Sequence, residues 1–277
     1  MHIKTAFPKI LSLVLIIISP VSFAGGADKP FAWPNGAQAA VSLGYDDALN
    51  SQLDIVIPAL DKYGFKGSFY VPVARPVLTE RLAEWRAAAE NGHELGNHSI
   101  FHQCDASLPG REWVPPYHDL QKISVKQMSE QILVANKMLY AIDGKTKRTY
   151  TAPCGDLKAG GKNYIDAIKQ EFVAVKLSGD GVTADMSTLD PYAVGVTAPS
   201  QVTGEELIAI VKEAAARGTM ANITFHGVGG DYLSVSKEAH DELLAHLAKH
   251  PDIYWVDTFL NIMVYVRDQD VSEASEN

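Results

Sequence analysis

Two adjacent acidic residues and two closely spaced histidines are the residues of this sequence best suited to chemistry. Asp46 and Asp47 close an apolar run that begins at Ala39, and His98 and His102 lie four positions apart. Adjacent carboxylates repel each other, and a divalent cation relieves the repulsion while leaving one acid free as a base. An imidazole pair at this spacing suits metal ligation, on one helical turn or in a tight turn after a strand.

Each pair also has an ordinary structural interpretation. An aspartate here could cap the helix that follows, and the histidines could be unrelated polar residues. Taken together, Asp47, His98 and His102 supply one carboxylate and two imidazoles, the pattern of a catalytic zinc site with open positions for water and substrate. We therefore predict one divalent metal, Zn2+ by default with Co2+ or Ni2+ also compatible, and Asp46 as the base beside it.

Two further clusters close later apolar runs. His226 follows Asn222–Phe225 directly and precedes glycine, so it could face the same site as a general acid or be a structural histidine. The segment Thr151–Asp156 closes another run and by itself indicates only a turn. Asn97 and Gln103 flank the histidine pair, and we expect them to orient the two rings.

The elements that must position these residues follow an alternating pattern. Short runs rich in β-branched and aromatic residues alternate with stretches whose apolar residues recur every three to four positions. The predicted strands are Ala39–Tyr45, Gly67–Val73, Glu94–Asn97, Thr149–Ala152, Phe172–Leu177, Ala193–Thr197, Asn222–Phe225 and Tyr254–Asp257. Helical patterns between them end near Gly64, Gly92, Gly144, Gly218 and Pro251. Alternation of this kind predicts an α/β barrel of right-handed βα units, with its chemistry at the C-terminal strand ends.

Two cysteines and a proline-rich loop lie beside these motifs. Cys104 follows the histidine pair and Cys154 lies in the Thr151 cluster, so they could form the single possible disulfide or remain buried free thiols. The segment Cys104–Ile123 is predicted to be a long loop, which either walls a substrate groove or is a surface insertion. Within it, Trp113 is a candidate for substrate contact.

The N-terminus is typical of an export signal. Lys4 and Lys9 precede the short apolar run Ile10–Ile18, and Ser22-Phe23-Ala24 then offers small residues for a signal peptidase. We predict a cleaved signal peptide over residues 1–24, with a retained anchor helix as the alternative, and a single catalytic domain over residues 25–277. The mature protein would be periplasmic or secreted, without a stable membrane anchor.

Charge excludes some classes of partner. The chain has 24 basic and 33 acidic residues, a net charge of −9. Loss of the two lysines in the predicted signal peptide, which has no acidic residue, would leave 22 basic residues and a net charge of −11. An acidic protein with no basic run is a poor partner for nucleic acid or anionic lipid, whereas a neutral or cationic sugar polymer is compatible.

The order of these motifs resembles the polysaccharide deacetylases of carbohydrate esterase family four, the nodulation-protein-B-like homology domain. The resemblance extends over about Ala39 to Phe259 and is carried by Tyr45-Asp46-Asp47, His98-Ser99-Ile100-Phe101-His102, the proline-containing strand end at Thr151–Cys154, and His226. It implies a distorted (β/α) barrel of about seven parallel strands.

The resemblance also implies a role for each principal residue. Asp46 would be the catalytic base, and Asp47, His98 and His102 would hold the metal. His226 would protonate the leaving group. The implied activity is hydrolysis of an acetyl group from an oligo- or polysaccharide, which we interpret first as N-deacetylation of an N-acetylglucosamine-containing glycan such as chitin oligosaccharide or peptidoglycan. The alternatives are an O-acetyl esterase on xylan or a similar polymer, and an inactive carbohydrate-binding protein.

The sequence departs from the family pattern at four places. Ala48 stands where the first motif usually has glycine, and Cys154 stands where an aromatic residue usually follows the proline. Thr151 replaces an arginine that pairs with the catalytic base, and loss of that cation should raise the pKa of Asp46. The Asp-x-x-Asp-Trp motif that tunes the catalytic histidine has no clear copy; the candidates are Asp180, Asp185 and Asp190.

Overall fold

Within the described residues, eight parallel strands form the main sheet. The structure is a computed structural model that describes His2 and residues 31–276. In chain order the strands are β1 (Ala39–Asp46), β2 (Ser68–Val71), β3 (Glu94–Asn97), β4 (Thr149–Thr151), β5 (Ala174–Ser178), β6 (Val194–Val196), β7 (Met220–Phe225) and β8 (Tyr254–Asp257).

The sheet curls into a nearly closed, distorted barrel. Its strand order is β8-β1-β2-β3-β4-β5-β6, and β7 pairs with β1. A parallel bridge between Thr197 and Ile223 joins the chain after β6 to β7, so seven strands nearly complete a ring. The eighth strand pairs with Ala39–Ser42, whereas β2 pairs with Gly44–Asp46 of the same strand. The predicted distorted (β/α) barrel of about seven parallel strands is confirmed.

Helices connect the strands and cover the outside of the barrel. In chain order they are α1 (Ile57–Lys62), α2 (Pro76–Glu80), α3 (Leu82–Glu90), α4 (Val125–Asp143), α5 (Ile165–Ile168), α6 (Gly204–Arg217), α7 (Lys237–Lys249) and α8 (Phe259–Glu276). A π-helical turn over Gln52–Val56 leads into α1, and a small antiparallel hairpin pairs Lys158–Ala159 with Lys162–Asn163. Two 3-10 turns, Pro116–His118 and Leu120–Lys122, lie in the predicted long loop.

The predicted elements agree well with the observed ones. Strands β3 and β8 have the predicted bounds, and the other six differ by one or two residues at one or both ends. Helices α4 and α6 begin with serine or threonine capping boxes and end at Gly144 and Gly218, whose left-handed φ of 69° and 72° glycine adopts without strain. The predicted helices did not include the short α2 and α5 or the longer α8. The buried face of α8 nevertheless repeats at helical spacing: Phe259, Ile262, Met263 and Val266.

Successive side chains of β1 point to opposite faces, as in any strand. Val41, Leu43 and Tyr45 pack into the largest apolar cluster, under the surrounding helices. Ser42 and Asp46 therefore share the other face, which looks into the barrel. This alternation places the first predicted acid inside the barrel, at the C-terminal end of its strand.

The barrel interior is polar where other strands contribute to it. Tyr70 of β2 hydrogen-bonds Thr149 of β4 through their hydroxyl groups at 3.0 Å. Thr149 also hydrogen-bonds Glu94 of β3, whose second oxygen accepts the Leu260 N–H of α8 at 3.0 Å. Lys176 of β5 is fully buried near this layer. The interior therefore accommodates charged groups, in contrast to the branched apolar residues that usually fill such barrels.

Two predictions on chain organisation remain predictions. The signal peptide over residues 1–24 lies outside the described residues apart from His2. Residues Phe31–Asn277 form one compact unit. The single catalytic domain over residues 25–277 stays a prediction. In the described part of the chain, no helix has the length and apolar character needed to cross a bilayer.

Candidate metal centre and catalytic cleft

Asp46 and Asp47 lie where β1 ends and the chain turns sharply. Both side chains are buried. Asp47 and Ala48 have φ values of 79° and 52°, in the left-handed region. Such values are uncommon for residues with a Cβ and cost about 1–3 kcal/mol each. Ala48 stands where the resembled family usually has glycine, and its positive φ gives the physical reason for that preference.

A tight turn after β3 brings His98 and His102 together. Ser99 and His102 have left-handed φ values of 66° and 52°. The Asn97 side-chain oxygen accepts the Ser99 N–H at 2.7 Å, and Ser99 Oγ accepts the His102 N–H at 3.1 Å. The two ring centroids lie 4.9 Å apart. Of the two geometries that suit this spacing, the structure adopts the strand-to-loop turn.

Three potential ligand atoms converge on one point. Oδ1 of Asp47 lies 3.0 Å from His102 Nε2 and 3.5 Å from His98 Nε2. All three atoms lie within 4.8 Å of one another, and this oxygen has no hydrogen-bond partner among the described residues. Two imidazole nitrogens and a carboxylate oxygen arranged in this way fit a divalent cation and leave further coordination positions open.

The His98 ring is oriented by a backbone carbonyl. Its Nδ1 donates to the carbonyl oxygen of Thr151 at 2.8 Å, which leaves Nε2 free to act as a ligand. The sequence predicts that Asn97 and Gln103 orient the rings. Asn97 instead donates to a carbonyl and a side chain of α4, and in the described chain no hydrogen bond joins Gln103 to either ring. The orienting group comes from a neighbouring strand.

Tyr232 and Arg75, which are not among the predicted site residues, hold the second oxygen of Asp47. Tyr232 donates its hydroxyl hydrogen to Oδ2 of Asp47 at 2.7 Å, and Arg75 donates to the Tyr232 oxygen at 2.6 Å. Burial and the Asp47 charge raise the pKa of Tyr232, so it remains a donor. The only signal for it in the sequence was its place after the glycine-rich segment that follows His226.

The two aspartates differ in their electrostatic surroundings. Burial alone would raise the pKa of Asp47, but the adjacent His102 and His98 rings lower it well below its usual range. Burial raises the pKa of Asp46, although His98 and His226 oppose the rise. Burial opposes the charge of His98, yet Asp46 and Asp47 raise its pKa. Asp47 thus stays anionic as a ligand must, and Asp46 binds a proton more readily, as suits a base.

His226 approaches the second carboxylate oxygen of Asp47, whereas His98 and His102 lie near the first. Its Nε2 is 4.0 Å from Oδ2 of Asp47. The side chain of Gln52 donates to the backbone carbonyls of Asp46 at 2.5 Å and His226 at 3.2 Å, so it ties the ends of β1 and β7 together. The three aspartates considered as partners of His226 each accept a backbone N–H in a local turn instead: Asp180, Asp185 and Asp190.

These groups line one cavity at the C-terminal ends of the strands. Its volume is about 710 Å3. Arg111 and Trp113 of the predicted long loop form part of its wall, so this loop borders the cleft. Trp113 is exposed, and its ring centroid lies 6.2 Å from that of His102. The lining also includes Asp46, Asp47, His98, His102, Thr151, Lys176, Thr224 and His226.

A disulfide joins Cys104 to Cys154, as predicted. It connects the turn that carries His102 to the turn after β4, where Cys154 has a left-handed φ of 59°. The sulfur of Cys104 lies 3.7 Å from Nδ1 of His102. Because both sulfurs are used in the bond, this cluster is a covalent brace beside the candidate metal ligands.

A family model and several solved structures resemble this chain. Residues 34–171 match the model of a family described as polysaccharide deacetylase. Two curated Bacillus relatives are 32% identical over 75 residues and 23% identical over 181 residues. The chain spans 3% and 50% of the lengths of these two proteins, so their whole activities do not transfer to it.

Three solved structures share the fold. A candidate polysaccharide deacetylase from Mycobacterium smegmatis has a TM-score of 0.58 at 14% identity, over 87% of this chain and 94% of its own. The peptidoglycan deacetylase PdaC from Bacillus subtilis has a TM-score of 0.54 at 20% identity, over 86% and 95%. A family-four pseudoenzyme from Bacillus anthracis has a TM-score of 0.52 at 16% identity, over 83% and 66%. At these identities the likeness establishes the fold alone.

Replacement of His98 tests the ligand set. We expect His98→Ala to lose its bound metal, because the two remaining ligands cannot hold the cation tightly. Metal analysis of the purified, zinc-loaded protein should find about one equivalent in the unmodified chain and almost none in the variant. The matched control is His250→Ala, which removes a histidine just before β8, at the opposite end of the barrel. Full metal occupancy in His98→Ala would contradict the assignment.

Removal of the disulfide should loosen the histidine turn. The double variant Cys104→Ala/Cys154→Ala should lose about 2–4 kcal/mol of unfolding free energy, because its unfolded chain is no longer constrained. Its zinc affinity should also fall, since His102 lies in the braced turn. Chemical denaturation and metal titration measure these two effects. A phosphine reductant should lower the unfolding free energy and the zinc affinity of the unmodified protein. It should leave both properties of the double variant unchanged. Two free thiols in the denatured unmodified protein would contradict the bond.

Proposed function

This chain belongs to the polysaccharide deacetylase family, and we propose that it is a metal-dependent hydrolase that removes acetyl groups from a carbohydrate. The substrate we propose is a glycan that contains N-acetylglucosamine, such as a chitin oligosaccharide or peptidoglycan. The family acts on acetylated polysaccharides through one divalent metal, and we propose Zn2+ for this chain.

One arrangement carries the proposal. The ligand atoms of Asp47, His98 and His102 converge in a cavity beside the side chain of Asp46, whose Oδ1 has no hydrogen-bond partner among the described residues. His226 lines the same cavity. A ligand set, an unengaged carboxylate and a second titratable group around one cleft are the components of metal-assisted acyl transfer to water.

The chain's own residues divide the proton transfers. A divalent cation held by Asp47, His98 and His102 would supply polarisation of the acetyl carbonyl. Asp46 accepts a proton from the water whose oxygen attacks the acetyl carbon. His226 donates a proton to the leaving nitrogen as the carbon–nitrogen bond breaks, which releases acetate and the free amine. An amide nitrogen needs this proton more than an ester oxygen does, so a well-placed acid favours N-deacetylation.

The cleft and the chain's other features are compatible with an exported enzyme on a glycan. Trp113 presents an exposed ring at the rim, suited to stacking on a sugar face. The Cys104–Cys154 disulfide is typical of an oxidising compartment. We therefore propose a periplasmic or secreted location, with an acetylated oligo- or polysaccharide as the partner.

Acetate release by purified, zinc-loaded residues 25–277 tests the function. We expect release from chitin oligosaccharides or peptidoglycan, loss of release with a chelator, and recovery when zinc returns, because the cation polarises the bond. Acetylated xylan serves as the ester comparison. Release from xylan alone would assign the esterase activity instead. Glycan binding with no release from any substrate would support the inactive carbohydrate-binding alternative, for which the pseudoenzyme neighbour is a precedent.

Asp46→Asn separates the base from the metal site. The variant should retain zinc, because the substitution leaves all three ligands in place. Its kcat should fall about 10²–10⁴-fold, because general-base catalysis is lost. Metal analysis and initial-rate kinetics measure both. The control is Asp252→Asn, an exposed carboxylate just before β8 at the other end of the barrel. Unreduced turnover in Asp46→Asn would assign the base to another group.

A further inference from the structure

Lys176 is a buried cation that the proposed mechanism does not use. It lies in the middle of β5 and has no exposed surface. Its ammonium donates one long hydrogen bond, 3.4 Å to Ser42 Oγ, and packs over the rings of Tyr70 at 5.1 Å and Phe259 at 4.6 Å. It forms no ion pair within the described part of the chain. Burying a lysine in this way is costly, so its retention calls for a reason.

The surrounding strands leave room for this ammonium. A Cβ on Gly44 would lie only 2.8 Å from Nζ of Lys176, so the absence of a side chain at this position of β1 makes the space. Gly44 shares the inward face of β1 with Asp46, two positions further on. The lysine therefore reaches across the barrel to the strand that carries the proposed base.

The partner of Lys176 in the strand register is Thr151. These two residues of β4 and β5 are directly paired and both line the cavity. Thr151 is small, and its hydroxyl has no hydrogen-bond partner among the described residues. Thr151 also stands where the resembled family has an arginine beside the base. In this chain the cation at this level of the barrel is Lys176, on the adjacent strand.

The charges of two carboxylates, Asp46 and Glu94, act on this ammonium. Burial lowers the pKa of Lys176 to about 8, while the charges of Asp46 and Glu94 oppose that fall. Glu94 already accepts hydrogen bonds from Thr149 and from the Leu260 N–H. Oδ1 of Asp46, by contrast, has no such partner in the described residues. Asp46 is thus the counter-charge left for the lysine.

We propose that Lys176 is a positioning residue for Asp46: its ammonium, extended from β5 into the space left by Gly44 and Thr151, supplies the fixed positive charge that holds the Asp46 carboxylate in place for the reaction. Among the described residues, the lysine forms no hydrogen bond or ion pair with the candidate ligands Asp47, His98 and His102. It lines the cavity, but its side chain is fully buried. Its effect therefore falls on turnover, and metal binding and substrate affinity are spared. This inference rests on the proposed hydrolase function.

Neutralisation and relocation of the charge provide the test. Lys176→Met removes the ammonium and keeps the length of the side chain. We expect unchanged zinc content, a KM within about twofold, and a kcat lowered about 10–100-fold, the usual range for loss of a supporting group. The double variant Lys176→Met/Thr151→Arg places a cation on the paired strand, and its kcat should recover most of the loss. The Thr151 carbonyl that orients His98 remains in both variants.

Lys162→Met is the matched control, because it makes the same change at an exposed lysine of the hairpin. Its kcat should equal that of the unmodified chain. If Lys176→Met fails to fold, the double variant decides: restored folding with turnover supports the inference. Unreduced kcat in folded Lys176→Met, or a folded double variant without turnover, overturns it. An unmodified protein that is inactive on every acetylated glycan would overturn the proposed function itself, and the inference with it.

Discussion

The burial of two adjacent carboxylates at the end of β1 is the constraint on which the rest of the site depends. Asp46 and Asp47 repel each other and have little water around them, so positive or hydrogen-donating groups must lie close by. For Asp47 these are the rings of His98 and His102 on one oxygen and the hydroxyl of Tyr232 on the other. The same attraction that gathers these groups makes the point between them suitable for a cation.

The turns that carry these groups adopt backbone conformations that their residues disfavour. Left-handed φ values occur at Asp47, Ala48, Ser99, His102 and Cys154, all beside the cleft. Strain of this kind persists only when the surroundings enforce it. Here the enforcing contacts are hydrogen bonds within the histidine turn and the disulfide that joins it to the turn after β4. The site is therefore held in its geometry before any ligand binds.

Side chains alternate between the two faces of each strand, and this alternation places polar and charged groups inside the barrel. Outward-facing residues such as Leu43 and Tyr45 pack beneath helices, while the inward positions of several strands are polar. Lys176 and Glu94 are buried in this interior, where little water screens their charges. Charges therefore act on each other over longer distances than in water. A buried cation can therefore influence Asp46 without touching it, and the scaffold participates in the electrostatics of the cleft.

The order of the strands and of the five longer predicted helical segments, the barrel, and the motifs that contain Asp47, His98 and His226 could be predicted from the sequence, because periodicity and motif spacing are local properties of the chain. The short helices α2 and α5 were not predicted, and neither was α8, whose apolar spacing is present but precedes a polar end. Two contacts of the site became visible only in the folded chain. The Thr151 carbonyl orients His98, and Tyr232, 185 positions from Asp47 in the chain, donates a hydrogen bond to the Asp47 carboxylate. The position of Lys176 beside Thr151 likewise depends on strand register. Such contacts join residues far apart in sequence, and pairing and packing set them.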